Sequence, residues 1–124
     1  AKYSTRQIEA WKNFYSEEKI LWMMKYMVVF VALEKEKVVG TASIKDNEVY
    51  GLYIDSKLRG SGIGTKLMES IEKFAKRKGV KKIVSLATPV AKKFYQKMSY
   101  IDKEKKAIDF DGVKFTETKM EKKL

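Results

Sequence analysis

Residues 48–67 read EVYGLYIDSKLRGSGIGTKL, and this stretch decides the fold. Its opening, Glu48 to Ile54, is rich in β-branched and aromatic residues and predicts a strand. Gly51 inside that strand predicts a bulge or a close backbone approach. A glycine-rich turn follows, and from Ile63 the apolar residues Ile63, Leu67, Ile71, Phe74 and Ala75 recur at helical spacing with Lys and Glu opposite them. Gly79 sits where that helix needs its C-terminal cap. A strand, a glycine loop and a helix in succession make an anion site, because free backbone N–H groups and the positive helix end converge on one point. Gly60, Gly62 and Gly64 leave the backbone open to a phosphate, with Ser61 and Ile63 between them. Arg59 can add charge-assisted hydrogen bonds and Thr65 a hydroxyl.

Two well-known phosphate loops are excluded by spacing. A P-loop needs Gly and then Lys five and six residues after its first Gly, followed by Ser or Thr. From Gly60 these positions hold Thr65, Lys66 and Leu67. The dinucleotide fingerprint needs a third Gly three residues after the second, and Thr65 stands there. The strands before the loop also follow one another too closely for a βαβ unit.

Working outward toward the N-terminus, MVVFVALE (27–34), VVGTASI (38–44) and EVYGLYI (48–54) are three strands joined by the short polar turns EKEK and KDN. Such close spacing predicts an antiparallel meander. Before them, Ser4 or Thr5 caps a first helix carrying Ile8, Trp11 and Tyr15. Ser16, followed by Glu17 and Glu18, starts a second helix with Ile20, Met23, Met24 and Met27 along one face. Toward the C-terminus, KKIVSLA (81–87) is a further strand. Thr88 and Pro89 are a cap and first residue for a helix running to about Met98. YIDKEK and VKFTETKM form a final hairpin around Asp111-Gly112. The order predicts an α/β (α+β) domain with a mixed, mostly antiparallel sheet flanked by helices. Residues 1–124 form one domain without linker or repeat.

The 124 residues include no Cys and no His. Disulfides, thiolate zinc sites and Ser-His or Cys-His relays are thereby removed, and no metal is expected. Proton transfer falls to Asp, Glu, Lys or Tyr. The net charge of +11 is interleaved with Glu along the chain and Arg is scarce, which reads as a solvated Lys/Glu surface. A nucleic-acid-binding protein is the alternative that the charge alone supports. No apolar run approaches the roughly 20 residues of a membrane span, which implies a soluble, cytoplasmic protein with no membrane partner.

The loop Arg59-x-x-Gly62-x-Gly64 after a strand resembles the acyl-CoA-binding motif of the GNAT (GCN5-related) N-acetyltransferases. Downstream, ATPVAKKFYQKMSY resembles the family's second signature, Ala-x-x-Phe-Tyr-x-Lys-x-Gly-Phe. The resemblance covers about Met27 to the C-terminus. It implies an acyl-CoA N-acyltransferase fold, acetyl-CoA as cosubstrate, and transfer to a primary amine of a small molecule or protein by direct attack in a ternary complex. A domain that binds acyl-CoA without turnover, acting as a sensor, is the rival reading.

By resemblance, backbone groups of Leu52, Tyr53 and Ile54 hold the pantetheine arm in a V-shaped opening against KKIVSLA. The segment Arg59–Gly64 with Thr65 cradles the pyrophosphate, and Phe94 lies beside the cofactor. Tyr95 matches the tyrosine that protonates the departing thiolate, and Glu48 is the best-placed carboxylate for a general base. Two positions depart from the pattern: Thr88 stands where many members carry Asn, and Ser99-Tyr100 replaces Gly-Phe. Family members also begin with a strand and a helix, and this chain is expected to start too late to contain that strand. That leaves 27–34 as an apolar sheet edge, which a homodimer is expected to cover.

Overall fold

The computed structural model describes residues 16–110 and 112–124. Ser4, Thr5, Ile8, Trp11 and Tyr15 lie outside the described residues, as do the side chains of Ile20 and Met24. The first described helix, α1 (Glu17–Tyr26), begins as the sequence predicts: the Ser16 hydroxyl accepts from the Lys19 amide at 3.2 Å. Among its described side chains Met23 is buried.

Strands β1 (Val28–Glu34), β2 (Lys37–Lys45) and β3 (Glu48–Ile54) form the expected meander. The two-residue turn between β1 and β2 places both Lys35 and Glu36 at positive φ, the twist that a tight hairpin requires. After a short 3₁₀ turn at Ser56–Leu58, helix α2 (Ile63–Arg77) ends where Gly79, at φ 83°, lets the Val80 amide return to the Ala75 carbonyl. Strand β4 (Lys82–Ala87), helix α3 (Lys92–Lys97) and the long hairpin β5 (Ile101–Phe110) and β6 (Val113–Lys123) complete the chain. No described helix is long and apolar enough to cross a membrane.

The sheet runs β1-β2-β3-β4-β6-β5. Every neighbouring pair is antiparallel except β3 and β4, which run parallel. The mixed, mostly antiparallel sheet predicted from the sequence is therefore the one observed. Helix α2 lies on one face, against Ala42, Ile44, Val49, Ile83 and Met120, through Leu67, Met68, Ile71 and Ala75. Met68 and Ile71 are fully buried, while Ile63 and Phe74, also expected on this stripe, are half-buried. Each fully buried side chain of this kind stabilises the fold by about 1.5–3 kcal/mol. Strand β1 is the outer edge of the described sheet, with Val28 and Leu33 exposed.

Candidate active site

Two features of β3 and β4 open the sheet. Their parallel pairing consists of Glu48 with Val84 and Val49 with Ser85, and the register goes no further along β3. Beyond these pairs the parallel register of β3 with β4 does not continue, so the sheet forks. The second feature is the bulge predicted at Gly51. Tyr50 pairs with Ser43 and Tyr53 with Thr41, so three residues of β3 span two of β2, and Gly51 sits at φ 59°. Because side chains alternate along a strand, residues 50 and 53 would ordinarily point to opposite faces. The bulge puts both on the same one.

That bulge sorts the strand chemically. Val49, Leu52 and Ile54 pack toward α2. Glu48, Tyr50 and Tyr53 project from the other face, Tyr50 37 % and Tyr53 50 % exposed. The Tyr50 hydroxyl donates to Glu48 Oε2 at 2.6 Å. This bond, reinforced by partial burial and the charges of Glu48 and Asp46, pushes the Tyr50 phenol up to about 12. Tyr50 therefore stays protonated over any ordinary assay range, and Glu48 is held in one orientation with its second oxygen left for other work.

The loop at the mouth of the fork is built from residues with distinct tasks. Gly60 and Gly62 take φ 83° and 88°, and a Cβ added at either would meet nothing within 4 Å. Gly62 is the N-cap of α2, and no side chain caps that helix. The first backbone hydrogen bond of the helix runs from the Lys66 amide to the Gly62 carbonyl at 3.1 Å. The amides of Ile63, Gly64 and Thr65 thus have no partner within the helix and point outward from its positive end. Arg59 is exposed beside them. Ser61 does something else: its amide and its hydroxyl both donate to the Leu58 carbonyl and close the turn.

Gly64 corrects the expectation that all three glycines open the backbone to a ligand. A Cβ there would stand 3.3 Å from Phe94 Cε1, so the missing side chain makes room for that ring. The second sequence motif is thereby docked on the first. Phe94 in turn meets Tyr95 edge-on, ring centroids 5.2 Å apart. Helix α3 starts later than Thr88-Pro89 suggests. The Thr88 carbonyl accepts from the Ala91 and Lys92 amides and its hydroxyl from Ala91 at 3.3 Å, making a turn before the helix begins at Lys92. The Thr88 hydroxyl is thus engaged in this turn. Ser99 adopts φ 73°, so the chain keeps the left-handed turn of the family's Gly with a residue that favours it less.

Tyr95 is 4 % exposed, wedged between Phe94 and Tyr100, and its hydroxyl hydrogen-bonds the Ser85 side chain. Burial raises its pKa, and the Ser85 bond partly offsets that rise. Ser85 pairs with Val49 at the crotch of the fork and with the buried Met120 on the other side, so it faces α2. Glu48 pairs with Val84, one step away, and faces the opposite side. The two predicted catalytic side chains therefore flank the point where the strands part, one on each face of the sheet. Sequence reading missed Ser85 and Tyr50. A hydroxyl in the middle of the apolar run IVSLA was the available signal for the first. For the second it was the two-residue spacing from Glu48 on one strand.

The family description "Acetyltransferase (GNAT) domain" matches residues 1–124. The chain belongs to the GNAT acetyltransferase family. Among curated proteins no sequence match was found. Among solved structures, the GNAT domain resembles a GCN5-related N-acetyltransferase from Rhodopseudomonas palustris, 28 % identical with a TM-score of 0.83 over 98 % of this chain and 78 % of that one. It also resembles the PaiA N-acetyltransferase of Thermoplasma acidophilum in complex with coenzyme A, 26 % identical with a TM-score of 0.67 over 99 % and 81 % of the chains. An aminoglycoside 6′-N-acetyltransferase complexed with coenzyme A shares the fold at 16 % identity and a TM-score of 0.78, over 95 % and 88 %. In the GNAT chain described here an open glycine turn at the N-terminus of α2 stands at the mouth of the fork between β3 and β4.

Proposed function

We propose that this protein is an acetyl-CoA-dependent N-acetyltransferase acting on a primary amine by direct attack in a ternary complex. The observation that carries the reading is the forked sheet, with a carboxylate on one face of its crotch and a buried phenol on the other. Acetyl-CoA supplies a thioester, electrophilic at its carbonyl carbon. The backbone of Leu52, Tyr53 and Ile54 holds the arm, and the amides of Gly62, Ile63, Gly64 and Thr65, with Gly60 leaving room and Arg59 adding charge, hold the pyrophosphate. Glu48 takes a proton from the incoming ammonium. A carbon–nitrogen bond then forms as the carbon–sulfur bond breaks, Tyr95 gives its phenolic proton to the departing sulfur, and the second proton, shed by the nitrogen as it becomes an amide, restores the phenol. The raised pKa of Tyr95 keeps the phenol protonated as a hydrogen-bond donor to the departing thiolate, which is the weaker base, so its proton passes to sulfur only as the proton shed by the amide nitrogen replaces it. The absence of Cys and His supports attack without an acyl-enzyme.

Isothermal titration with acetyl-CoA, followed by transfer assays on an amine panel, tests the reading. Wild type should bind, and the Arg59→Glu/Gly62→Asp double variant should lose binding by at least tenfold while remaining folded. Binding without transfer to any amine would instead mark an acyl-CoA sensor. Unimpaired binding by the double variant would refute the loop assignment. The exposed apolar edge β1, with Val28 41 % and Leu33 48 % exposed, supports a homodimer in which a second copy covers it. Light scattering at high protein concentration should give the dimer mass, and a monomer would sink that part.

A further inference from the structure

The fork has an unassigned face. Opposite α2, β3 presents Glu48, Tyr50 and Tyr53 in one row, and they are there together only because of the Gly51 bulge. The row has a defined polarity. Its closed end carries Glu48, with Asp46 two residues before it. Its open end carries Tyr53, half-exposed, and Tyr50 lies between them with its hydroxyl tied to the carboxylate at 2.6 Å. Across the fork the same face of β4 carries Val84, which pairs with Glu48 and is buried, and half-buried Leu86, with Lys82 at its start held by Glu121 at 3.5 Å. One anionic end and an aromatic, apolar bed describe a ligand with one cationic end and a flat apolar body.

On the acetyltransferase reading, on which this inference rests, that ligand is the acceptor. We propose that the row Glu48–Tyr50–Tyr53 is the acceptor subsite and selects primary amines bearing an aromatic group near the nitrogen, the arylalkylamine type. The ammonium is drawn to Glu48, where the proton must leave. The ring lies along the phenols, and aromatic pairs of this kind add about 0.5–1.5 kcal/mol beyond burial. Tyr50 serves twice, as a surface for the body and as the donor that fixes Glu48 toward the nitrogen. Its phenol, pushed up to about 12, does not compete as a base. Polyamines and aminoglycosides fit poorly. Glu48 is the row's one carboxylate and Lys45 pairs across from it, in a chain of net charge +11, so a second positive charge on the ligand meets repulsion.

The test is an initial-rate panel with saturating acetyl-CoA and four acceptors: 2-phenylethylamine, spermidine, kanamycin and free lysine. It is run on the wild-type chain and on Tyr53→Ala, with acetyl-CoA affinity measured by titration for both. The expected result is a kcat/KM for 2-phenylethylamine at least tenfold above the other three. Tyr53→Ala should raise its KM roughly three- to tenfold, the equivalent of the aromatic contact, and by more than it weakens acetyl-CoA affinity. Backbone contacts to the arm survive the loss of the side chain, so the KM effect separates the acceptor from the cosubstrate. Preference for spermidine, kanamycin or lysine, with a KM indifferent to Tyr53→Ala, overturns this inference and leaves the acetyltransferase reading standing. Binding of acetyl-CoA with no transfer to any of the four, nor to a wider panel of amines and protein lysines, overturns both.

Discussion

Tyr95→Phe separates the catalytic and the structural contribution of one hydroxyl. The phenol is 4 % exposed and bonded to a Ser85 side chain that is itself 1 % exposed. Removing the phenolic oxygen leaves the serine hydroxyl buried without that partner, which costs about 1–3 kcal/mol. Globular proteins gain about 2.1 cal/mol/K of unfolding entropy per residue, so about 0.26 kcal/mol per degree for 124 residues. The expected fall in Tm is therefore about 4–12 °C. The kinetic effect has a different origin. If Tyr95 gives its proton to the leaving sulfur, its loss removes a contribution of about 10²–10⁴ in rate. Water can substitute in part, so kcat should fall at least about tenfold, equivalent to about 1.4 kcal/mol of barrier.

The double variant Ser85→Ala/Tyr95→Phe tells these effects apart. With both hydroxyls gone, no buried group is orphaned, and removing both partners is close to neutral. Its Tm should recover at least half of the single variant's loss while kcat stays as low. Calorimetry and steady-state assays at one temperature provide the two readouts. A Tyr95→Phe enzyme with kcat within twofold of wild type refutes the proton-donor role. A double variant that regains rate together with stability refutes it as well, because the single variant's defect would then be one of packing.

Two further predictions concern stability. Ser99 sits at φ 73°, which costs a non-glycine residue about 1–2 kcal/mol; Ser99→Gly relieves this at about 0.4–1 kcal/mol of added chain entropy. A net gain near 0.5–1 kcal/mol should raise Tm by roughly 2–4 °C, and an unchanged or lower Tm in calorimetry would show that the turn is not strained. Tyr95 and Tyr100 both have raised pKa values, mainly from burial, with the Glu72 carboxylate adding to the rise at Tyr100, whose hydroxyl donates to it at 2.8 Å. Raised folded values mean that their contribution is complete below about pH 10, where unfolded tyrosines begin to ionise, and is lost as pH climbs toward the folded values. Urea unfolding at pH 8 and at pH 11 should show stability falling, and falling less in Tyr100→Phe; a wild-type stability flat across that interval would contradict this.

Much of the chain was legible because its signals are local. The limits of β3 at Glu48 and Ile54, the cap at Ser16, the return at Gly79 and the amphipathic stripe of α2 each follow from side chains within a few residues of one another. So do the open backbone at Gly60 and Gly62 and the uncapped helix end, which are properties of the loop itself. Where local chemistry gave a wrong or partial answer, a distant residue or a competing local turn had intervened. Gly64 reads as one more open glycine until Phe94, thirty residues on, is packed against it. Thr88-Pro89 reads as a helix start, yet Thr88 closes a turn of its own and the helix begins four residues later.

By itself the sequence determined most of the described elements, the open glycine loop and the two motifs, since each depends on short-range sterics and hydrogen bonding. Only the tertiary structure decided how these meet. The hairpin β5–β6 inserts β6, not β5, beside β4. Pairing of β3 with β4 stops after Val49 and Ser85, and that opens the fork. A one-residue bulge turns Tyr53 to the side of Glu48 and Tyr50. Strand register and the face that a side chain occupies are set by partners far along the chain and by the burial of one whole face, so no window of neighbouring residues contains them.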